Sequence, residues 1–418
     1  MRTPFMLCLS IALAFLVNSC NKDNDDHQDA GEGSLNLPAL DQALVAQGKE
    51  VFRNETFGDE TFWTDALKMN QVIETAVDPT TALSVGLKVD AAALPAAVVT
   101  GIQNGTISLT DPQTTLALLQ LNAVVGVKGQ VSTTTEGSLK LDRVGITCAL
   151  CHSTVDNSFA PGIGNRLDGY PNRDLNPGFI ISLSPSVPSD AKAFYTSWGP
   201  GKFDPRFNHD GLSNPVVIPP AFGLYGLPKA TFTGDGDIQH EPVGPVAYWN
   251  RYVSVTEMGG HGFFQDDRIG LTVDNRVGGV DEVTDKLPAL QAYEFSLEAP
   301  GALAGSFDAA AAARGKVLFN NKAQCATCHS GPKFTNVTDG GMLMGQDASV
   351  ATDKEYVKRS ATQQWRVTPL RGIWQHAPYF HDGSAATLTD VVERYNTVKH
   401  LNLTSQEKAD LTEYLKSL

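Results

Sequence analysis

The sequence predicts a mainly α protein with two small helical units, long loops and an added N-terminal helical layer. Three observations carry that expectation. The pentapeptide Cys148-Ala149-Leu150-Cys151-His152 returns as Cys325-Ala326-Thr327-Cys328-His329, so one local device is used twice in a single chain. Apolar residues recur at helical spacing over 40–52, 61–77, 287–297, 388–395 and 405–418. Segments between them, such as 198–204 and 219–223, hold too many Gly and Pro residues for long elements. With 418 residues and 42% hydrophobic composition, there is ample material for two packed domains.

A C-x-x-C-H pentapeptide is the attachment site of a c-type haem. Two thiols at this spacing can each form a thioether to one vinyl group of the same porphyrin, and the adjacent histidine then ligates the iron. Two covalently bound haem c groups are therefore expected. One sits on Cys148 and Cys151 with His152 as its iron ligand, the other on Cys325 and Cys328 with His329. Zinc is the competing reading, but it needs further Cys or His ligands nearby, and neither copy has a second cysteine pair.

The remaining cysteines lie near the N-terminus. Arg2, an apolar run over 5–17 and Asn18-Ser19-Cys20 read as a lipoprotein signal peptide, residues 1–19, whose removal leaves Cys20 to carry lipid. The run, which contains Cys8, is too short for a permanent membrane span. Residues 20–35 follow as a flexible acidic tether, with Asp23, Asp25, Asp26, Asp29 and Glu32 and hardly an apolar side chain. The expected setting is that of an exported bacterial lipoprotein, periplasm-facing or outer-membrane anchored, touching the membrane through lipid alone.

A net charge of −14 argues against a nucleic-acid partner, which needs a basic face. It suits instead a basic or neutral small redox protein that donates electrons.

Residues 36–300 read as the N-terminal helical layer plus a first haem domain. Within the layer, Asp111 is placed to cap a helix that begins at Pro112. The loop over 161–174 after His152 is turn-dense and suits a wrap around a haem edge, where Arg166 or Arg173 could fork onto a propionate. Gly234-Asp235-Gly236-Asp237 is a candidate calcium loop, although it lacks the EF-hand pattern. His261, bracketed by glycines, is a candidate distal group at the first haem, with Glu257 and Asp168 as candidate proton carriers. Residues 301–418 read as the second haem domain, opened by a helix capped at Ser306-Phe307-Asp308 and closed by two amphipathic helices.

Two stretches, Arg366-Val367-Thr368-Pro369-Leu370-Arg371 and Ala377-Pro378-Tyr379-Phe380-His381-Asp382-Gly383-Ser384, carry a resemblance. They resemble the C-terminal domain of bacterial di-haem cytochrome c peroxidases and of the related di-haem enzyme that matures methylamine dehydrogenase. The likeness covers about residues 306–418 and loosely 144–300. It implies that His329 is the proximal ligand of an electron-transfer haem, and that His381 is a hydrogen-bonding group near its edge. It further implies that Tyr395 is the distal ligand, where the peroxidases place a methionine and the maturation enzyme a tyrosine; Met342 and Met344 are the alternatives. Two departures stand out. Asp168 occupies the region where the peroxidases supply a distal histidine, and Phe232-Thr233-Gly234-Asp235-Gly236 lacks their inter-haem tryptophan, leaving Trp198 or Trp249. Residues 199–204 are more distantly similar to di-haem rubber oxygenases.

The resemblance implies reduction of hydrogen peroxide at the first haem with electrons relayed through the second, His261, Glu257 and His381 being the candidate catalytic side chains. The alternatives are an electron-transfer cytochrome without catalysis and an oxygenase or substrate-oxidising di-haem enzyme.

Overall fold

The computed structural model describes residues 35–418 except 339, 347–349 and 352. The signal peptide, Cys20 and nearly all of the tether lie outside the described residues.

Helix α1 (Gln42–Asn54) starts where the Asp41 carboxylate accepts the Ala43 N–H at 2.8 Å, satisfying a donor that the first turn leaves orphaned. The periodic stretch over 61–77 is not one helix. Thr61–Ala66 forms a wide π turn and Met69–Ala76 an α-helix, because Lys68 between them takes the left-handed conformation, φ 58°. Helix α2 (Pro112–Gln120) begins as expected, with Asp111 capping it and Pro112 in its first turn. An antiparallel hairpin of β1 (Val127–Thr133) and β2 (Leu139–Ile146) follows. The N-terminal layer is therefore helix and hairpin together, since β2 buries Leu141 and Val144 in the same core as Leu116 and Leu119 of α2. Alternation along β1 is too weak to announce a strand, because most of that strand is solvated.

Beyond the first C-x-x-C-H, β3 (Ser153–Val155) pairs antiparallel with β4 (Arg166–Asp168). The later helices are α3 (Pro245–Thr256), α4 (Leu287–Ser296), α5 (Ala309–Asn320), α6 (Leu388–Val398) and α7 (Ser405–Lys416). Sheets among the described residues are all two-stranded, so helices carry the fold. The two most closely packed helix pairs, α1 with α4 and α5 with α7, each close on a glycine. A Cβ on Gly48 of α1 would lie 1.8 Å from the Ala289 carbonyl of α4, and one on Gly315 of α5 would lie 2.1 Å from the Asp410 carbonyl of α7.

Among the described residues three large apolar cores form, beside a smaller cluster of Val216, Tyr356, Val357 and Trp365. One gathers α2 and the hairpin; a second gathers α1, α3 and α4; a third gathers α5, α6 and α7. The first C-x-x-C-H is wedged between the first two, with Cys151 against one and Cys148 against the other. Cys325 packs on the third. No helix among the described residues is long and apolar enough to cross a membrane.

Candidate haem centres

The first motif leaves β2 as a single helical turn, Ala149–His152. Its approach needs Gly126, whose φ is 76° and whose place a side chain would fill, since a Cβ there would lie 2.1 Å from the Leu150 nitrogen. The loop over 161–174 then folds back on the motif. Gly169 N–H donates to the His152 carbonyl and Asn172 N–H to that of Cys151, both at 2.8 Å. The second motif follows α5 and is held alike, Asn336 N–H donating to the Cys328 carbonyl at 2.9 Å.

Both histidines are oriented by a main-chain carbonyl. Nδ1 of His152 lies 3.0 Å from the Pro219 oxygen, and Nδ1 of His329 lies 3.0 Å from that of Phe334. With the Nδ1 proton spent on a carbonyl, the lone pair sits on Nε2, the tautomer a metal-ligating histidine needs. Burial pushes His152 down to about 4, against the pull of the Pro219 oxygen and with help from Arg173, so the imidazole is neutral at ordinary pH. Burial lowers His329 as well, opposed by the carbonyls of Phe334 and Thr368. Burial pushes Cys151 and Cys325 up to about 12, and no group of three or more His, Cys, Asp or Glu among the described residues could hold a metal.

Cys325, Cys328 and His329 open onto a cavity of about 900 Å³ that is also lined by Tyr395, His376 and His381. Its size, the thiol pair and the oriented imidazole fit a haem c. Tyr395 sits on α6 with its ring 6.5 Å from that of Phe380, and burial plus the Cys325 and Cys328 thiols push its phenol upward. Its hydroxyl makes no hydrogen bond to a described residue. Met344 lines the same cavity, whereas Met342 is exposed. His381 is buried, its ring centroid 4.5 Å from that of Trp365, and its carbonyl accepts the Val217 N–H at 2.7 Å.

The other candidates stand elsewhere. His261 is committed at both ring nitrogens, Nε2 lying 3.0 Å from Thr61 Oγ1 and Nδ1 3.2 Å from Glu282 Oε1. Glu257 is buried 3.6 Å from His209, and burial raises its carboxyl despite that partner. Neither lines the cavity. Asp168 is clamped by Arg53 at 2.5 Å, Arg166 at 2.7 Å, the Tyr293 hydroxyl at 2.5 Å and the Ser153 hydroxyl at 2.7 Å. Burial works against its ionisation, yet Arg166 and the other donors hold it below the usual carboxylate range. Trp198 donates to Ser213 and Trp249 stacks on Tyr252, both away from the cavity. The calcium loop is not supported. Asp235 is taken by Arg206 and the Thr362 N–H, and Asp237 by Lys229 and His240, so those oxygens are already spent on cations and donors.

Pro219 and Pro220, which read as mere breakers, link the two motifs. The carbonyl of Pro219 orients His152, while both prolines line the cavity of the second motif. Glu294 was equally silent in sequence. It is buried on α4, takes a 2.7 Å hydrogen bond from Asn250, and is pushed up to about 8 by burial. Burial first, and the nearby Glu294 carboxyl after it, raise the Cys148 thiol. Only the place of Glu294 on the buried side of an apolar helix could have signalled it.

Two oriented histidines, two thiol pairs and a haem-sized chamber define a di-haem c-type cytochrome. Comparison with known proteins narrows the class. Residues 365–399 match the family described as RoxA-like, cytochrome c-like. The chain is 29% identical over 157 residues to the methylamine utilization protein MauG of Methylorubrum extorquens, spanning 34% of this chain and 44% of that protein. It is 26% identical over 151 residues to the cytochrome-c peroxidase IdrP1 of Denitromonas iodatirespirans, spanning 26% of this chain and 40% of that one. Among solved structures, a hydrazine synthase of Kuenenia stuttgartiensis is 20% identical over 50% of this chain and 74% of its own, with a TM-score of 0.33. The matched regions span less than half the length of the two curated relatives. Over these parts the chain is similar to MauG and to a cytochrome-c peroxidase, and it carries a RoxA-like stretch.

Proposed function

We propose that the protein is a di-haem c-type oxidoreductase that reduces hydrogen peroxide at a haem held by Cys148, Cys151 and His152. Cys325, Cys328 and His329 would hold a second haem, which would supply the electrons, and Tyr395 would offer its phenol to that iron. The observation that carries this reading is the loop over 216–223, one carbonyl of which orients His152 while its prolines wall the chamber of the second motif. When bound, haem c supplies an iron that changes oxidation state and can accept peroxide wherever a coordination position is left open.

The chain's own residues do the rest. Pro219 and Phe334 hold the Nδ1 protons and so leave each Nε2 ready for iron. Tyr395 offers a phenolic oxygen, which favours ferric iron. Glu294, protonated at neutral pH, holds a proton on the Cys148 side of the first motif. In this reading residues 36–300 combine the N-terminal layer with the first haem domain and 301–418 form the second. Residues 1–19 direct export, lipid on Cys20 ties the protein to a membrane surface, and the acidic surface draws a small redox donor.

The test is an EPR spectrum of the oxidised protein, repeated after partial reduction and addition of peroxide. One high-spin ferric signal that peroxide alters, with accelerated peroxide loss, is the expected result. Two low-spin signals unchanged by peroxide would overturn the proposal and leave an electron-transfer cytochrome.

A further inference from the structure

The chamber of the second motif carries the wrong charge for an empty space. The protein as a whole is strongly acidic at −14, yet Arg173, Lys333, Arg366, Arg371 and Lys399 line this cavity against a single acid, Glu298, which is exposed. Two of these cations are half-buried, with guanidinium nitrogens out of water and no described counter-ion. Arg173 spends Nη2 on the His376 carbonyl at 2.6 Å, and its Nε and Nη1 have no partner. Arg366 spends Nε on the Thr231 carbonyl at 2.6 Å, and its Nη1 has none; nor has Nε1 of the adjacent Trp365. No described carboxylate pairs with either arginine. Guanidinium nitrogens held out of water without an anion are costly, and desolvation drags both groups down to about 10. A fold that keeps two such groups facing one chamber is built around an anion carrying two charges.

We propose that Arg173 and Arg366 hold the two propionates of the haem attached at Cys325 and Cys328, one guanidinium to each carboxylate, with Trp365 Nε1 as an added donor. This rests on the reading that the chamber holds that haem. Arg173 comes from the loop after the first motif yet is pinned to a carbonyl at 376. Arg366 comes from the second unit yet is pinned to a carbonyl at 231. Each carboxylate thus completes a link that already joins the two halves of the chain.

The test uses the full-length haem-loaded protein, with Arg173→Gln, Arg366→Gln and the Lys variant at each position. Intact mass first counts covalent haem. A chain carrying no haem at 325 and 328 would defeat the underlying reading and not the arginine assignment alone. With haem present, the midpoint potential of the second haem is followed by spectroelectrochemistry between pH 5 and 9. In the wild type it should be flat with pH, because paired propionates stay ionised. Each Gln variant should show a lower potential at high pH, where a positive charge near ferric iron has been lost, and a new fall with rising pH as the freed propionate titrates. Lys should restore the flat profile, which a merely structural role would not predict. Fully haem-loaded Gln variants with unchanged potentials and profiles would overturn the assignment. So would a wild-type potential that shifts with added formate at fixed ionic strength, since the guanidinia would then be holding a free carboxylate.

Discussion

The Pro219 carbonyl oxygen lies 3.0 Å from Nδ1 of His152, across 67 residues of chain. A proline can only accept here, never donate, so the proton must sit on the imidazole nitrogen that faces it. The Phe334 carbonyl does the same for His329. The acceptor is main chain in both cases, and no side-chain substitution removes it.

Tyr395→Phe tests the distal ligand of the second haem. The phenyl ring keeps its packing against Phe380, so stability should change by less than about 1 kcal/mol. Loss of the phenolic oxygen should raise the midpoint potential and alter the ferric EPR signal of that haem alone. An unchanged signal would remove Tyr395 from the iron.

Asp168→Asn separates a clamp from a proton carrier. The buried carboxylate is held by Arg53, Arg166, Tyr293 and Ser153, and the amide leaves two guanidinia short of an anion. A loss of about 3–5 kcal/mol in urea unfolding is expected, with haem content unchanged. The pH sign follows from its depressed carboxyl. Its folded pKa lies below the unfolded one, so its stabilisation is present above the unfolded value and is lost as pH falls through the folded value. The variant should therefore lose acid sensitivity in that range.

Glu294→Gln reverses the sign. The carboxyl is raised from 4.5 to about 8, so the folded protein holds a proton that the unfolded chain releases. Stability from this group is complete below about 4.5 and is lost as pH climbs through about 8. The glutamine variant should be more stable than wild type at pH 9 by a few kcal/mol, measured as a urea midpoint against pH. Parallel profiles for the two proteins would refute the buried, protonated carboxyl.

Gly48→Ala should destabilise, against the usual rule for a helix interior. Alanine gains roughly 1 kcal/mol over glycine by propensity, but its Cβ would meet the Ala289 carbonyl at 1.8 Å and push α1 off α4. A net loss of about 1–3 kcal/mol in thermal or urea unfolding is expected. Gly137→Ala, at a turn with nothing within 4 Å but a φ of 88°, is a control in which strain acts without collision.

Much of this architecture was legible in the residues themselves. Asp111 and Asp308 sit where helices begin, because capping is local chemistry between neighbours. The two C-x-x-C-H turns were equally plain, since thiol spacing is a covalent requirement. What stayed hidden depends on distant chain. That Lys68 would turn left-handed and split a periodic stretch is decided by packing and not by its own propensity. His261 looked free between glycines, but Thr61 and Glu282 hold both of its nitrogens. Asp235 and Asp237 looked like an open oxygen cluster until Arg206 and Lys229 arrived from outside the loop. Pro219, Arg366 and Glu294 acquire meaning only from partners 67, 135 and 44 residues away.

The chamber at Cys325 has walls drawn from Leu35 and Leu37, from Arg173, from the prolines at 219 and 220, and from residues spread between Phe319 and Leu415. Severing or grafting the chain near residue 300 would divide one room between two polypeptides. A C-terminal portion grafted from another protein would need the Pro219 loop and Arg173 with it. The two halves share one wall, so a side chain that changes size on one side must be met by the other.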